Sequence, residues 1–415
     1  MKHSIWVLII LLTVAVNLCA LPTGKSSLFA DSYMLRAHGP EAAYWNPALI
    51  SPVYSEFLVP FANTSIYVAN NSLNLRTYNS LMSDQYISDS DKRDLLDMIK
   101  GRLTVNSELH TSLFGFTNNN MSFSSAIHFY GNASISEKYI DLALNGNSED
   151  EYFFNKGNNN AAEMSFIDLT MGMGNFVLPE TYAQIPPINY GFSISLLTGI
   201  TDTSTKSYSG YFSSTSDGMY ANQDIQLKNS VGGIGFKSML GFVAEPLPKL
   251  KAGMTIDNIF GFINWNLNTE QINYSIAVDS VYVSDLQDDF YTEYRSTEDI
   301  KSYTTAIPPE LRLSTLYSFQ TVNVSLDWVQ GFGSSPMTSK IGRLALGTEY
   351  FPYPMLPLNF GLSLGNRDHP WRASYGIGFK SRITEFGIGL MSFKSLIPGY
   401  SSKGVSISTY MSVKL

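Results

Sequence analysis

Between Leu311 and Leu415 the chain repeats one pattern seven times, apolar side chains alternating with small or polar ones. Leu311, Leu313, Thr315, Tyr317 and Phe319 fall on one face, and Arg312, Ser314 and Ser318 on the other. After Gln320-Thr321, Val322, Val324, Leu326 and Trp328 oppose Asn323, Ser325 and Asp327. Leu344, Leu346, Thr348 and Tyr350 then oppose Arg343, Ala345, Gly347 and Glu349. The runs around Leu358–Gly365, Tyr375–Lys380, Glu385–Leu390 and Val405–Leu415 follow the same rule. Side chains alternate faces along a strand, so a period of two in run after run specifies half-apolar strands. The chain is therefore all-β.

The connections carry the next signal. Gln320-Thr321 and Ser381-Arg382 are tight, whereas Gly331–Lys340 and Ser395–Lys403 are longer and rich in Gly, Ser and Pro. Short and long connections fall on opposite ends of the meander, as in outer-membrane barrels, and this parity places the C-terminus at the short-turn, periplasmic end. A secreted β-sandwich would also alternate, with its apolar faces inward. Three features favour a membrane barrel. Runs of about nine to eleven residues match a tilted bilayer crossing. The second face carries Gly and Ser in place of a charged coat. Aromatics (Trp328, Tyr350, Phe351, Tyr353, Trp371, Phe393, Tyr400) gather near run ends, where interfacial girdles lie. On this reading Arg312, Asp327, Arg343, Glu349 and Glu385 point into the lumen and the apolar face meets outer-membrane lipid.

An exported chain needs a signal. Lys2 and His3 precede an apolar run from Ile5 to Val16 that ends in Asn17-Leu18-Cys19-Ala20, so residues 1–20 read as a signal peptide. A lipoprotein site at Cys19 is the lesser reading, because Leu18 precedes it. Cleavage after Ala20 removes the single cysteine and with it any disulfide or thiol chemistry. No later run is apolar enough for a spanning helix, which leaves strands as the means of crossing. The expected location is the outer membrane of a Gram-negative-type bacterium.

The middle of the chain is less regular. Val53–Phe61, Ile188–Leu197, Val231–Val243, Leu250–Phe262 and Ile263–Ala277 are strand candidates, separated by polar stretches at Asn145–Glu163, Thr201–Asn229 and Ser284–Ser302 that read as long extracellular loops. Ser90–Gly101 has a serine cap, an acidic first turn and a Lys-Gly end, and is expected to form a short helix. Leu95, Met98 and Ile99 share its face, so it would pack as a plug or lid.

Chemical motifs are sparse. Gly24-Lys25-Ser26 lacks the earlier glycine of a phosphate loop, since position 19 is Cys. Gly172-Met173-Gly174 and Gly233-Ile234-Gly235 read as strand glycines that admit close packing. His3, His38, His110, His128 and His369 show no ligand spacing, and no nucleophile elbow occurs. No metal, cofactor or enzymatic activity is expected. A net charge of −8 offers no basic footprint for nucleic acid.

One segment remains, ahead of the first strand candidate: Ala37-His38-Gly39-Pro40-Glu41-Ala42-Ala43-Tyr44-Trp45-Asn46-Pro47-Ala48. Gly-Pro and Asn-Pro set tight turns, and Pro47, without a ladder donor, cannot continue a strand. The stretch resembles the G-x-x-A-x-x-x-N-P-A signature near the mature N-terminus of FadL-type outer-membrane transporters and PorV-type barrels. In those families the segment folds inside a 14-stranded barrel as a hatch. A closer resemblance, to an uncharacterised bacterial outer-membrane barrel family, runs along nearly the whole chain. It is carried in order by the Asp91–Lys100 helix, Tyr190-Gly191-Phe192, Gly232–Phe236, Asn258–Trp265, Ile307–Arg312 and Gly347–Tyr350.

The resemblance implies an all-β transmembrane antiparallel barrel of about 14 strands at residues 53–415, with residues 21–52 as a luminal hatch. Gly39, Pro40, Tyr44, Trp45, Asn46, Pro47 and Ala48 would form the gate. The implied function is a FadL-like passive channel for hydrophobic or amphipathic small molecules. The alternative is a PorV-like barrel that docks secreted or surface proteins.

Overall fold

The computed structural model describes residues 23–51, 55–83, 87–147, 151–178, 186–215, 218–281, 291–365 and 370–415. The expected signal peptide lies outside them. Fourteen strands form one closed antiparallel barrel, the count expected from the sequence. The first, β1, is interrupted (Glu56–Leu58 and Thr64–Asn70). Next come β2 (Arg102–Asn118), β3 (Met121–Ser136), β4 (Asn160–Val177), β5 (Ile188–Thr215) and β6 (Gly218–Leu247). Two more interrupted strands follow: β7 (Leu250–Asp257, Gly261–Trp265, Glu270–Val281) and β8 (Thr292–Asp299, Tyr303–Ile307, Glu310–Ser318). A regular meander completes the wall: β9 (Val322–Gly331), β10 (Arg343–Tyr353), β11 (Leu356–Ser363), β12 (Arg372–Lys380), β13 (Thr384–Phe393) and β14 (Gly404–Lys414). Thr64 opposite Thr409 and Glu56 opposite Lys414 close the ring between β1 and β14.

Exposure follows the pleat. Leu326, Trp328, Leu344, Leu346, Leu358, Ile377, Ile388, Leu390, Val405 and Ile407 are exposed, while Ser325, Asp327, Ser363, Ser374, Glu385, Ser406 and Ser408 between them are buried. Apolar side chains outside and polar ones inside is the arrangement a bilayer imposes, since closure satisfies every wall strand without a free edge. Among the described residues no helix is long and apolar enough to cross a membrane. Phe393, expected in an aromatic girdle, instead faces inward against Tyr67 at 4.9 Å, because odd positions of β13 point to the lumen.

The two rims differ. After β2, β6, β8, β10 and β12 the chain turns within a few residues, and Leu415 lies at that same turn rim. The opposite, loop rim is elaborate, and there several expectations change. Thr201–Asn229 is not a loop: β5 and β6 run through it as a hairpin of 28 and 30 residues, far beyond the ten or so that cross a bilayer. Its Thr and Tyr favour strands, and its buried positions, such as Asp202, Thr205 and Ser213, are polar, so no apolar stripe marks it. Asn145–Glu163 contains a short strand, Glu151–Asn155, paired to β5, and the start of β4. Within Ser284–Ser302, residues 282–290 lie outside the described set and Thr292–Asp299 is strand. The boundary expected at Phe262/Ile263 moves because Asn258 and Asn268 take positive φ (55° and 45°) and break β7 there. The expected helix spans Asp89–Ile99 and is capped by Ser88, not Ser90. Ser88 has the extended backbone a cap needs, and it exchanges hydrogen bonds with Asp91 in a capping box. Leu95 and Ile99 pack against Leu103 and against Ile140 of a second helix (Glu137–Asn145), above the wall at the loop rim.

Candidate functional site

The lumen is occupied by the chain's own N-terminal segment. Of residues 23–50, all but Arg36, His38, Gly39 and Leu49 are buried. Two prolines organise it. Pro40 and Pro47 each open a short 3-10 turn (Gly39–Glu41 and Pro47–Leu49), flanking one helical turn at Ala42–Trp45. Asn46 Oδ1 accepts from the Ala48 amide at 3.1 Å, and its Nδ2 donates to the Phe242 carbonyl at 3.3 Å. Tyr33 meets Trp45 edge-on at 5.4 Å and stacks on Phe29 at 5.9 Å, giving the segment its own aromatic spine. Inner-face glycines match its outline: a Cβ on Gly174 would overlap the Pro47 carbonyl, and one on Gly361 the Phe29–Ala30 peptide.

Polar side chains tie this segment to the wall at four places. At the turn rim Lys25 pairs with Glu385, whose other oxygen lies 3.4 Å from both Lys414 Nζ and His38 Nε2. His38 Nδ1 reaches Glu56 at 2.9 Å. Burial opposes the charge on Lys25, yet Glu385 outweighs it and raises the ammonium pKa. Burial and Lys25 likewise oppose charge on His38, but Glu56 and Glu385 prevail and its pKa is raised. Burial also pushes up the Glu41 carboxyl, which accepts from Tyr33 Oη at 2.5 Å.

A second anchor lies on β9 and β10. Asp327 accepts from Ser32 Oγ at 3.1 Å and from the Met34 amide at 3.1 Å. Arg36 Nη1 reaches Glu349 at 3.2 Å, with the guanidinium 4.5 Å from the Phe29 ring. The third anchor is on the far wall. Tyr44 Oη donates to Asp168 Oδ1 at 2.8 Å, His128 Nε2 meets Asp168 Oδ2 at 2.9 Å, and the Nδ1 atoms of His128 and His110 are 3.2 Å apart.

The fourth is highest. Asp31, at φ 73°, pairs with Arg372 and lies 3.8 Å from Arg343 at the loop-side starts of β12 and β10. Arg312 covers Trp45 at 4.8 Å and binds Glu310 at 2.6 Å. Beyond Asp31 a 60 Å³ cavity is lined by Tyr67, Glu108, Glu310, Arg343, Arg372 and the Pro336–Ser339 turn. Met337 of that turn also packs on an apolar cluster inside the outer barrel: Tyr130, Met164, Phe166, Leu197, Ile263, Trp265 and Ile307.

All seven segment residues singled out from the sequence therefore lie in this plug, and Arg312, Asp327, Arg343, Glu349 and Glu385 all sit on the lumen side. Sequence reasoning passed over Asp31, Arg36, Glu56, Asp168 and Arg372, and it set Lys25, His38, His110 and His128 aside. The sequence held no signal for the histidines: a regular hairpin at Asn119-Asn120 would set His110 opposite Phe129, and the bulge between Ser112 and Phe114 brings it opposite His128. The wall is irregular between β1 and β2. Thr64–Ala69 pair with β14, while on the other side the register of β1 with β2 is limited to 56–58 and Asn70 opposite Val105. In the interval two backbone hydrogen bonds, Phe61 N to Ser112 O at 2.8 Å and Ser112 N to Asn63 O at 3.0 Å, are followed by side-chain bonds from Thr64 to Thr111 at 2.7 Å and from Tyr67 to Glu108 at 2.6 Å.

Residues 215–392 match a family described as a family of unknown function, DUF5723. The chain matches no curated protein. Among solved structures it is similar to the toluene transporter TbuX of Ralstonia pickettii, at 11% identity and TM-score 0.48 over 91% of this chain and 93% of that one. It is also similar to the toluene transporter TodX of P. putida, at 10% identity and TM-score 0.43 over 91% and 92%. The monoaromatic hydrocarbon channel CymD follows at 10% identity and TM-score 0.40, over 91% and 92%.

Proposed function

We propose that the protein is a passive outer-membrane channel of FadL-like type for hydrophobic or amphipathic small molecules, with residues 21–52 as its hatch. One observation carries this reading: the barrel is filled by a segment held through side-chain contacts and not by strand pairing. Such a plug can move without unpairing the wall. A ligand arriving at the loop rim meets the apolar cluster around Trp265 and Phe166. Displacement of the hatch opens the lumen below it, and the stretch of the β1–β2 seam from Thr64 to Tyr67, bridged by side chains, is the weakest route through the wall.

Uptake of labelled fatty acids and aromatics by a deletion strain tests the proposal. Loss of uptake, restored by the wild-type gene, is the expected result. Unchanged uptake across the panel, with a protein partner co-purifying in stoichiometric amount, would replace the channel with the docking reading.

A further inference from the structure

The ion pairing at the top of the hatch is incomplete. Arg372 and Arg343 share one carboxylate oxygen, Oδ2 of Asp31, and the pair to Arg343 is long at 3.8 Å. The other oxygen, Oδ1, is buried and has no hydrogen-bond partner among the described residues, and the same holds for Nε of Arg372. Asp31 and Arg372 are only 3% and 6% exposed, so bulk water does not compensate these atoms. Leaving a buried polar atom without a partner is unfavourable. Asp31 is moreover held with φ at 73°, a backbone region that few residues adopt without a local reason.

The wall explains how the two guanidinium groups meet. Arg312 and Arg343 both oppose Val329, while Arg372 opposes Ser363, the partner of Ala345. Three inward arginines thus stand near one level across five adjacent strands. The other charges facing them already have partners: Glu310 is bound by Arg312 at 2.6 Å and Glu108 by Tyr67 Oη at 2.6 Å. Arg343 and Arg372 line the 60 Å³ cavity, which has room for about two waters or a carboxylate head. Met337, in the turn over that cavity, touches the apolar cluster.

We propose that Arg343 and Arg372 form a binding site for the carboxylate of an incoming solute, and that Asp31 is its built-in competitor. A guanidinium fork binds a carboxylate through two parallel hydrogen bonds, which Asp31 does not supply to both arginines. A solute carboxylate takes the forks from the loop side, and Asp31, released, no longer fastens the top of the hatch. The inference rests on the channel reading for its consequence, and on the arginine pair alone for binding.

Calorimetry on the purified full-length barrel with benzoate, benzyl alcohol and inorganic phosphate tests it. Benzoate is expected to bind saturably, and D31N to bind it at least about tenfold tighter, a difference of about 1.4 kcal/mol. R343Q and R372Q are expected to abolish binding. Arg343 is the less buried of the two, so R343Q keeps the test usable where R372Q fails to fold. Benzoate binding that survives R343Q, or is unchanged in D31N, overturns the proposal. Phosphate binding tighter than benzoate overturns the carboxylate assignment. Benzyl alcohol uptake separates the two readings: uptake without benzoate binding leaves the channel and removes this site, whereas benzoate binding without uptake of either solute does the reverse.

Discussion

The wall and the segment inside it are built from different interactions. From β9 to β14 the wall is a continuous backbone ladder whose outer face is apolar and whose inner face is Ser, Gly and a few charges. Its stability comes from satisfied peptide groups and a lipid-matched surface. The enclosed segment adds no strand to that ladder. It is fastened by Lys25–Glu385, Arg36–Glu349, Asp31–Arg372 and Tyr44–Asp168, pairs that join a short N-terminal stretch to distant strands. Such pairs are conditional, because each depends on charge state, competing ions and the fit of two side chains. A ladder closed on itself depends on none of these. The contrast teaches that one part can fail without the other.

Deleting residues 37–48 should break the comparison most visibly. The barrel is expected to remain heat-modifiable on gels while its conductance in planar bilayers rises several-fold. Loss of assembly would show that wall and plug are one unit, and unchanged conductance would remove the hatch assignment. Glu385→Gln comes next. Removing one partner of a buried ion pair costs about 3–5 kcal/mol, here by stranding Lys25 and Lys414. The hatch should detach to relieve it, giving frequent openings with an intact wall in single-channel records.

Leu346→Arg probes the other partner of the comparison. Leu346 is exposed on the outer face, opposite Leu362, and a charge there should cost about 2–4 kcal/mol near the midplane. The expected readout is a lower urea midpoint for barrel unfolding, while Ser325→Ala on the inner face assembles normally. Tyr44→Phe removes one hydrogen bond to a carboxylate and should loosen the hatch by about 1.5–3 kcal/mol without touching the wall. Faster proteolysis within residues 37–48 is the measurement.

The smallest expected effect is that of pH. His38 has a raised pKa in the folded protein, so the stability it contributes is fully present below its ordinary value of 6.5 and is lost as pH rises through the raised one. Glu41, also raised, acts in the same direction above its ordinary 4.5, because ionising it while buried disfavours the closed hatch. Channel openings should therefore become more frequent on going from pH 6 to pH 9. His38→Gln should flatten the upper part of that profile, and a rise in openings toward acid would contradict the assigned pairing.

The regular wall was legible in the sequence, and the plug only in outline. Strands β9 to β14 could be read one by one because a period of two follows from strand geometry alone. The count of fourteen was reachable from seven strands in the last quarter and a hatch signature at the start. The protruding hairpin was misread because its buried positions, such as Asp202, Thr205 and Ser213, are polar and leave no apolar alternation between Thr201 and Asn229. The helix cap moved by two residues because a run of Ser and Asp offers several caps, and only Ser88 has the extended backbone.

By itself the sequence determined that the chain is all-β, which face of each regular strand is apolar, and where a regular strand cannot continue, at Asn46-Pro47. Those are local properties, set by side-chain alternation and by proline's missing donor. The tertiary structure decided which inward charges meet. Lys25 lies 360 positions from Glu385 and Asp31 lies 341 from Arg372, and no periodicity in a chain encodes such pairings. They exist because closing the ring brings the first strand beside the last and leaves one enclosed volume for the N-terminal segment to fill. A buried charge in that volume must find a partner within the protein, since water cannot supply one, and for Lys25 and Asp31 that partner lies across the lumen.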